Sequence, residues 1–280
     1  MLIVQTIAEL KACLNGEREQ GHSVGLVPTM GALHAGHASL VERSVKENDV
    51  TVVSIFLNPT QFNDKKDLER YPRTLEADCL LLEKCGAQVV FAPSVEEVYP
   101  EPDTRVFSYP PTDAVMEGAF RPGHFNGVCQ IVSKLFDYVE PDRAYFGEKD
   151  YQQICVIRRM VEDLKMDINI VACPVIREES GLARSSRNTL LSDDERQLAA
   201  HIYRVLSESR KQQMSVAETH DFVVREIDAI EGLKVQYFSI VDGLTLADVS
   251  TWDDAESVVG CITVYCGAVP TRLIDHIRYK

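Results

Sequence analysis

Apolar positions along the chain fall into two alternating periods. Short, nearly continuous apolar runs at residues 23–27, 50–56, 88–91, 143–146 and 168–172 alternate with stretches of helical period at 39–47, 75–85, 128–138 and 151–164. Runs that are apolar throughout, rather than at every second position, suit strands covered on both faces. The alternation therefore predicts βαβ units and an α/β fold: a doubly wound, Rossmann-like parallel sheet. Ahead of it, Thr6-Ile7-Ala8-Glu9 is a capping box that opens a short helix ending near Gly16.

The rhythm breaks at residues 177–188, a polar, glycine-containing segment without a period, which places a domain junction there. Domain boundaries of 1–176 and 177–280 follow. Two further capping boxes, Ser192-Asp193-Asp194-Glu195 and Ser215-Val216-Ala217-Glu218, each open a helix, and strand-like runs follow at 235–241 and 257–265. The C-terminal part is thus a second, smaller α+β domain.

Composition narrows the function classes. The 280 residues carry 43 acidic against 29 basic side chains, a formal net charge of −14. Such a chain does not work chiefly on phosphate backbones or anionic membranes, so no nucleic acid and no membrane partner is expected. The longest apolar stretch, 50–57, is far short of the ~20 residues of a membrane helix, and the N-terminus lacks the basic and apolar regions of a secretory signal. The eight cysteines are scattered and form no CxxC, which fits buried thiols in a reducing cytoplasm.

The most informative segment is the strand-to-helix passage Val27-Pro28-Thr29-Met30-Gly31-Ala32-Leu33-His34-Ala35-Gly36-His37, with helical pattern from about Ala38. Two glycines allow close backbone approach, a helix N-terminus offers amides and a positive dipole end, and His34 and His37 share one face. Imidazole donors there can stabilise charge developing at phosphorus; two solvated helix-end histidines would read similarly. No GxxxxGK[ST] and no GxGxxG occurs, so neither the P-loop nor the dinucleotide fingerprint applies. Beyond the second strand, Asn58-Pro59-Thr60-Gln61 sets amides where α/β sheets bind ligands, although Gln61 also suits an exposed turn. Gly123-His124-Phe125-Asn126-Gly127 and Phe146-Gly147-Glu148-Lys149-Asp150 start two more helices. Lys149 suits a phosphate or a surface ion pair, Gln153 can reach a hydroxyl ligand, and Ser185-Ser186-Arg187-Asn188 suits a closing loop or a solvated linker.

In order, PTMGALHAGH at 28–37, FLNPTQF at 56–62, YPR at 71–73, GHFNGV at 123–128, FGEKDYQQ at 146–153 and SSRN at 185–188 resemble the pantothenate synthetase (pantoate-β-alanine ligase) family, within the HxGH nucleotidylyltransferase superfamily. The resemblance spans the chain. It implies an AMP-forming acid–amino acid ligase that joins pantoate to β-alanine with ATP through a pantoyl adenylate, in vitamin B5 and coenzyme A biosynthesis. By the same resemblance, Met30, Gly31, Ala32, Leu33, His34, Ala35, Gly36 and His37 contact ATP, as do Gly147, Glu148, Lys149, Asp150, Ile176, Arg184, Ser185, Ser186 and Arg187. His34, His37, Lys149 and Arg187 are the implied catalytic residues, His37 as the acid, and Gln61 and Gln153 bind pantoate. The smaller domain is expected to close over the site. Arg184 stands where many relatives have Met. Mg2+ is expected with ATP, no prosthetic group is implied, the metal ligands are unassigned, and a cytoplasmic homodimer is the family expectation. A transferase that stops at nucleotide transfer, or a regulatory nucleotide-binding module, would share parts of this pattern but not all six blocks.

Overall fold

A computed structural model describes every residue of the chain except Asp64. The strands are β1 (Leu2–Val4), β2 (Val24–Thr29), β3 (Val50–Ile55), β4 (Val89–Phe91), β5 (Arg143–Gly147), β6 (Asn169–Cys173), β7 (Leu233–Asp242), β8 (Val258–Cys266) and β9 (Thr271–Arg278). The helices are α1 (Ile7–Glu19), α2 (Ala35–Glu47), α3 (Lys65–Arg70), α4 (Leu75–Cys85), α5 (Val95–Val98), α6 (Glu117–Phe120), α7 (His124–Val139), α8 (Tyr151–Asp163), α9 (Asp193–Ser209) and α10 (Val216–Asp228). They form two compact units: Met1–Tyr109, Phe120–Gly147 and Val156–Cys173 in the first, Pro110–Ala119, Glu148–Cys155 and Pro174–Lys280 in the second.

The first unit holds a six-stranded sheet in the order β1-β4-β3-β2-β5-β6, with every pair parallel. This is the doubly wound α/β arrangement that the apolar runs predict. From β2 the order runs one way through β3 and β4 and the other way through β5 and β6. The switch point, where α/β sheets bind ligands at the strands' carboxyl ends, therefore lies between β2 and β5. Val27, Val53, Val90 and Tyr145 of the strands pack with Leu40, Val41 and Leu82 of α2 and α4, all buried. Tyr145 donates its hydroxyl to Glu47 Oε2 at 2.9 Å and accepts from Asn48 Nδ2 at 2.7 Å, tying the end of α2 to β5.

Several boundaries differ from the sequence reading for local reasons. α1 runs past Gly16 to Glu19, because a glycine on an exposed helix face costs the helix only about 1 kcal/mol. The helix after the HxGH segment starts at Ala35 rather than Ala38, since His34 itself is its N-cap. The edge strand β1 is three residues long, with Leu2 and Ile3 exposed, too short for a periodic signal.

The second unit contains an antiparallel sheet in the order β7-β8-β9 with α9 and α10 packed against it, both opening on the capping boxes read from sequence. β8 is buried along nearly its whole length, as befits the central strand. β9 escapes a sequence reading because its apolar positions are interrupted by Arg272, Asp275 and His276, and the last two are buried. Arg177 pairs with Asp275 through two bonds of 2.6 and 2.9 Å and lies over the Tyr203 ring at 3.5 Å.

His276 is buried with Nδ1 unpartnered, its ring 5.2 Å from that of Tyr151. Burial holds its pKa below the ordinary value, against Asp275 and Glu148, which favour the cation, and with Arg177 and Arg278, which oppose it. A depressed folded-state pKa means the unfolded chain takes the proton first, so this contribution is present above the ordinary histidine pKa and is lost as pH falls through the lowered one. Urea midpoints of the wild type should therefore fall more steeply below about pH 6.5 than those of His276→Phe; parallel curves would remove His276 as the cause.

Candidate active site

In the first unit β2 ends in a loop with two successive left-handed residues, Gly31 (φ 82°) and Ala32 (φ 52°), which turn the chain into α2. Thr29 Oγ1 donates to Ser54 O at 2.7 Å and accepts from Gly31 N at 3.3 Å, anchoring the loop's start on β3. At its end, His34 Nδ1 accepts from Gly36 N at 3.1 Å, and His37 Nδ1 accepts from His34 N at 3.3 Å. The two rings lie against each other with centroids 4.1 Å apart, tilted by 35°. A ring nitrogen that accepts an amide hydrogen bond carries a lone pair, so the neutral tautomer of each ring has its proton on Nε2. In that neutral form each ring of the pair carries its N–H at Nε2.

The amides of Ala32 and Leu33 are held by Asp78, that of His34 by His37 Nδ1 and that of Gly36 by His34 Nδ1, so these four are engaged within the protein.

Gln61 lies on the 3-10 turn Pro59–Gln61 and is buried rather than an exposed turn residue. Its amide orientation can be deduced. Gly127 O can only accept, so the atom of Asn58 facing it at 3.1 Å is Nδ2; that nitrogen also reaches Gln61 at 3.1 Å, which makes the facing atom Oε1. Asn58 Oδ1 then accepts from Tyr99 OH at 2.9 Å and Thr60 Oγ1 at 3.2 Å. Gln61 is left with its NH2 directed to the soft sulfur of Met30 at 2.9 Å, a weak acceptor. The backbone of the same residue is held as well, since His124 Nδ1 lies 2.9 Å from Gln61 O while His124 Nε2 faces the Arg121 guanidinium at 3.1 Å. Arginine only donates, so the His124 proton sits on Nδ1 and points at the carbonyl.

Close approach of α7 requires Gly127: a Cβ there would meet Thr60 C at 2.6 Å and Gln61 Cα at 2.7 Å. Gly127→Ala must displace the Gln61 turn, at a cost of about 1–3 kcal/mol. With Gln61 implied by the resemblance to bind pantoate, the KM for pantoate should rise while the KM for ATP stays near wild type, as initial-rate kinetics would show; an unchanged KM for pantoate would separate the turn from that substrate.

In the second unit, Glu148–Asp150 form a 3-10 turn that runs into α8. Lys149 is largely covered, with Asp150 as a 3.7 Å ion-pair partner, and Glu148 pairs with Arg278 at 3.5 Å. Tyr151 donates to Gly243 O at 2.9 Å, and burial pushes its phenol up to about 12. Gln152, beside the half-buried Gln153, donates to Thr112 O and Val115 O and accepts from Glu117 N, at 2.8 to 3.0 Å. Gly147, the remaining residue of this block, closes β5 in the first unit.

The SSRN block is a built loop. Ile176 O accepts from Arg184 N at 2.9 Å, Ser185 Oγ caps the 3-10 turn Ser186–Leu190 through Arg187 N at 3.3 Å, and buried Asn188 Nδ2 donates to Ala183 O at 3.1 Å. Ser186 and Arg187 are half-buried on this turn, whereas Arg184 is exposed, 4.0 Å from Glu178. Each unit therefore gathers its own set: Met30, His34, His37 and Gln61 in the first, Lys149, Gln153 and Ser185 to Arg187 in the second. Asp78 carries no motif that a sequence reading isolates, whereas Asn58, His124 and Gln152 lie within the blocks at 56–62, 123–128 and 146–153, which give them no individual role.

The fold and the double-histidine helix start at the β2/β5 switch point define an HxGH-bearing, Rossmann-like α/β class. The sequence profile of the pantoate-β-alanine ligase family matches residues 2–278. A pantothenate synthetase from Bacteroides thetaiotaomicron is 64% identical over 282 residues, covering all of this chain and 99% of its own length. The crystal structure of a pantothenate synthetase from Thermus thermophilus superposes with a TM-score of 0.93 at 46% identity, covering all of this chain and 99% of the other. A pantoate-β-alanine ligase from Francisella tularensis, solved with β-γ ATP and β-alanine, superposes with a TM-score of 0.85 at 34% identity, covering 100% and 98%. The chain belongs to the pantoate-β-alanine ligase family, and it is a ligase.

Proposed function

We propose that the chain condenses pantoate with β-alanine in two steps at the cost of one ATP. In the first, the pantoate carboxylate attacks the α-phosphorus and expels pyrophosphate. In the second, the β-alanine amine attacks the carbonyl of the pantoyl adenylate and expels AMP. The observation that carries this reading is the fixed tautomer of His34 and His37, whose Nδ1 atoms are occupied by backbone amides so that both Nε2–H groups serve as donors. Such donors match charge building on phosphate oxygens in the transition state, with no enzyme nucleophile required.

Lys149 and Arg187 serve the same triphosphate as cations, Ser185 and Ser186 as hydroxyl donors, and Gln61 and Gln153 hold pantoate. Neutral amides orient hydroxyls and leave the attacking carboxylate unpaired, where an arginine would blunt it. A segment boundary near 176, with the smaller part closing during turnover, belongs to the same proposal. Among the described residues no group of three or more His, Cys, Asp or Glu side chains is disposed to hold a metal. Mg2+ is therefore proposed to arrive with ATP, held by phosphate oxygens and water.

A cytoplasmic location is supported by eight cysteines without a disulfide among the described residues, and no helix of those residues is long and apolar enough to cross a membrane. A homodimer is proposed from the family resemblance, and sedimentation tests it. The activity is tested by incubating the protein with ATP, Mg2+, pantoate and β-alanine and following AMP and the amide product. AMP that appears with the amide only when both acids are present is the expected result; AMP release indifferent to β-alanine would overturn the condensation.

A further inference from the structure

The loop between β2 and α2 closes around a carboxylate that the protein itself supplies. Asp78 of α4 is buried, with 3% of its surface exposed. Its Oδ2 accepts from Ala32 N at 3.0 Å and its Oδ1 from Leu33 N at 2.8 Å, across 46 and 45 residues of sequence. Thr74 Oγ1 adds a third donor to Oδ2 at 3.1 Å. Left-handed Gly31 and Ala32 turn consecutive amides toward one point, the kind of concavity that binds anions elsewhere. Here the anion is internal, and the fit is close: a Cβ on Gly31 would lie 3.2 Å from Asp78 Oδ2 and 3.3 Å from Ile55 Cγ2.

We infer that Asp78 is a positioning residue for the His34 and His37 imidazoles, acting through the loop amides rather than on substrate; the inference rests on the activity proposed above. Leu33, whose amide one oxygen holds, directly precedes His34. The direction of the His34 amide decides whether it reaches His37 Nδ1, and the start of α2 decides whether Gly36 N reaches His34 Nδ1. Fixing residues 32 and 33 therefore fixes both tautomers. A carboxylate does this where a neutral acceptor does not, because it has two equivalent oxygens and charge-assisted bonds to both amides. Asp78→Asn keeps the volume but turns an NH2 toward one of the two amides, setting donor against donor.

The test compares wild type, Asp78→Asn, the milder Thr74→Val, and a control, Val90→Ala, which removes buried apolar volume from the same unit. Three quantities are read: pantoate-dependent pyrophosphate exchange resolved into kcat and KM, melting temperature, and imidazole tautomers from 15N–1H correlation spectra without substrate. Asp78→Asn should lower kcat for exchange about 10- to 100-fold with KM for ATP within a few-fold, and should convert the His34 and His37 spectra from the Nε2–H form to a tautomer mixture. Thr74→Val should move the spectra the same way to a smaller extent, which keeps the test open if Asp78→Asn fails to fold. Val90→Ala should lose stability yet keep its spectra and its kcat within about three-fold. Spectra in Asp78→Asn or Thr74→Val identical to wild type would overturn the inference, as would a kcat loss restored by excess Mg2+, which would make Asp78 a metal ligand. Because the tautomer readout needs no substrate, a wild type that lacks pantoate-dependent exchange would sink the proposed activity while leaving the Asp78 inference to its own spectra.

Discussion

His37→Ala should lower the rate of pantoate adenylation by about 10²- to 10³-fold, the loss typical when one preorganised donor to transition-state charge is removed. The fold should survive. His37 sits in the first turn of α2, half-buried, and its ring accepts from His34 N at 3.3 Å, a bond local to the helix start. KM for pantoate should change little, since Gln61 and Gln153 are the residues proposed to hold that substrate. His37→Gln, which keeps an N–H donor of similar reach, should fall between alanine and wild type. Because the His34 and His37 rings are in contact at 4.1 Å and share the helix start, the double alanine variant should lose less than the product of the two single losses. Single-turnover measurement of adenylate formation checks this. Wild-type rates in His37→Ala would remove the residue from the chemistry.

The second large effect concerns stability. Glu117 is buried, and Arg272 grips its carboxylate with two bonds of 2.7 and 2.6 Å, while Tyr237 OH donates at 2.7 Å and Thr263 Oγ1 at 3.1 Å. Arg272 is in turn oriented by Gln236 at 2.7 Å. Burial and the neighbouring carboxylate together push the Tyr237 phenol far above its usual range. Arg272→Met would leave a buried carboxylate without its cation, at a cost of about 3–5 kcal/mol. Replacing both partners, in Glu117→Leu with Arg272→Met, should recover most of that loss, because the desolvated charge goes with its counter-ion. Urea unfolding of the three proteins checks this; equal midpoints for the single and double variants would show that Glu117 is not the source.

What the sequence makes legible follows the range of the interactions. Five of the six parallel strands, 24–29, 50–55, 89–91, 143–147 and 169–173, lie close to their apolar runs because buried parallel strands are apolar along their whole length. The capping boxes at Thr6, Ser192 and Ser215 form as read because they close within three residues. The HxGH turn is equally local: His34 caps the helix that His37 continues.

What supports that turn is not local. Asp78 reaches back 45 residues to the loop, and Asn58 meets Gly127 O across 69. No periodicity or spacing marks an aspartate on α4 as the anion inside another segment's turn. The second unit shows the same limit: residues 110–119 and 148–155 belong to it although they precede most of its sequence, held by Glu117, which has no motif, and by Gln152, whose block gives it no such role. β9 is hidden because its buried Asp275 and His276 look like surface residues until Arg177 supplies a partner.

The central claim is that His34, His37 and the residues assigned with them transfer the adenylyl group to pantoate before any amine takes part. Exchange of labelled pyrophosphate into ATP, with Mg2+ and pantoate present and β-alanine omitted, isolates that step. Exchange that requires pantoate is the expected result, slowed about 10²- to 10³-fold in His37→Ala. Protein that binds ATP but shows no pantoate-dependent exchange would contradict the acyl-adenylate route.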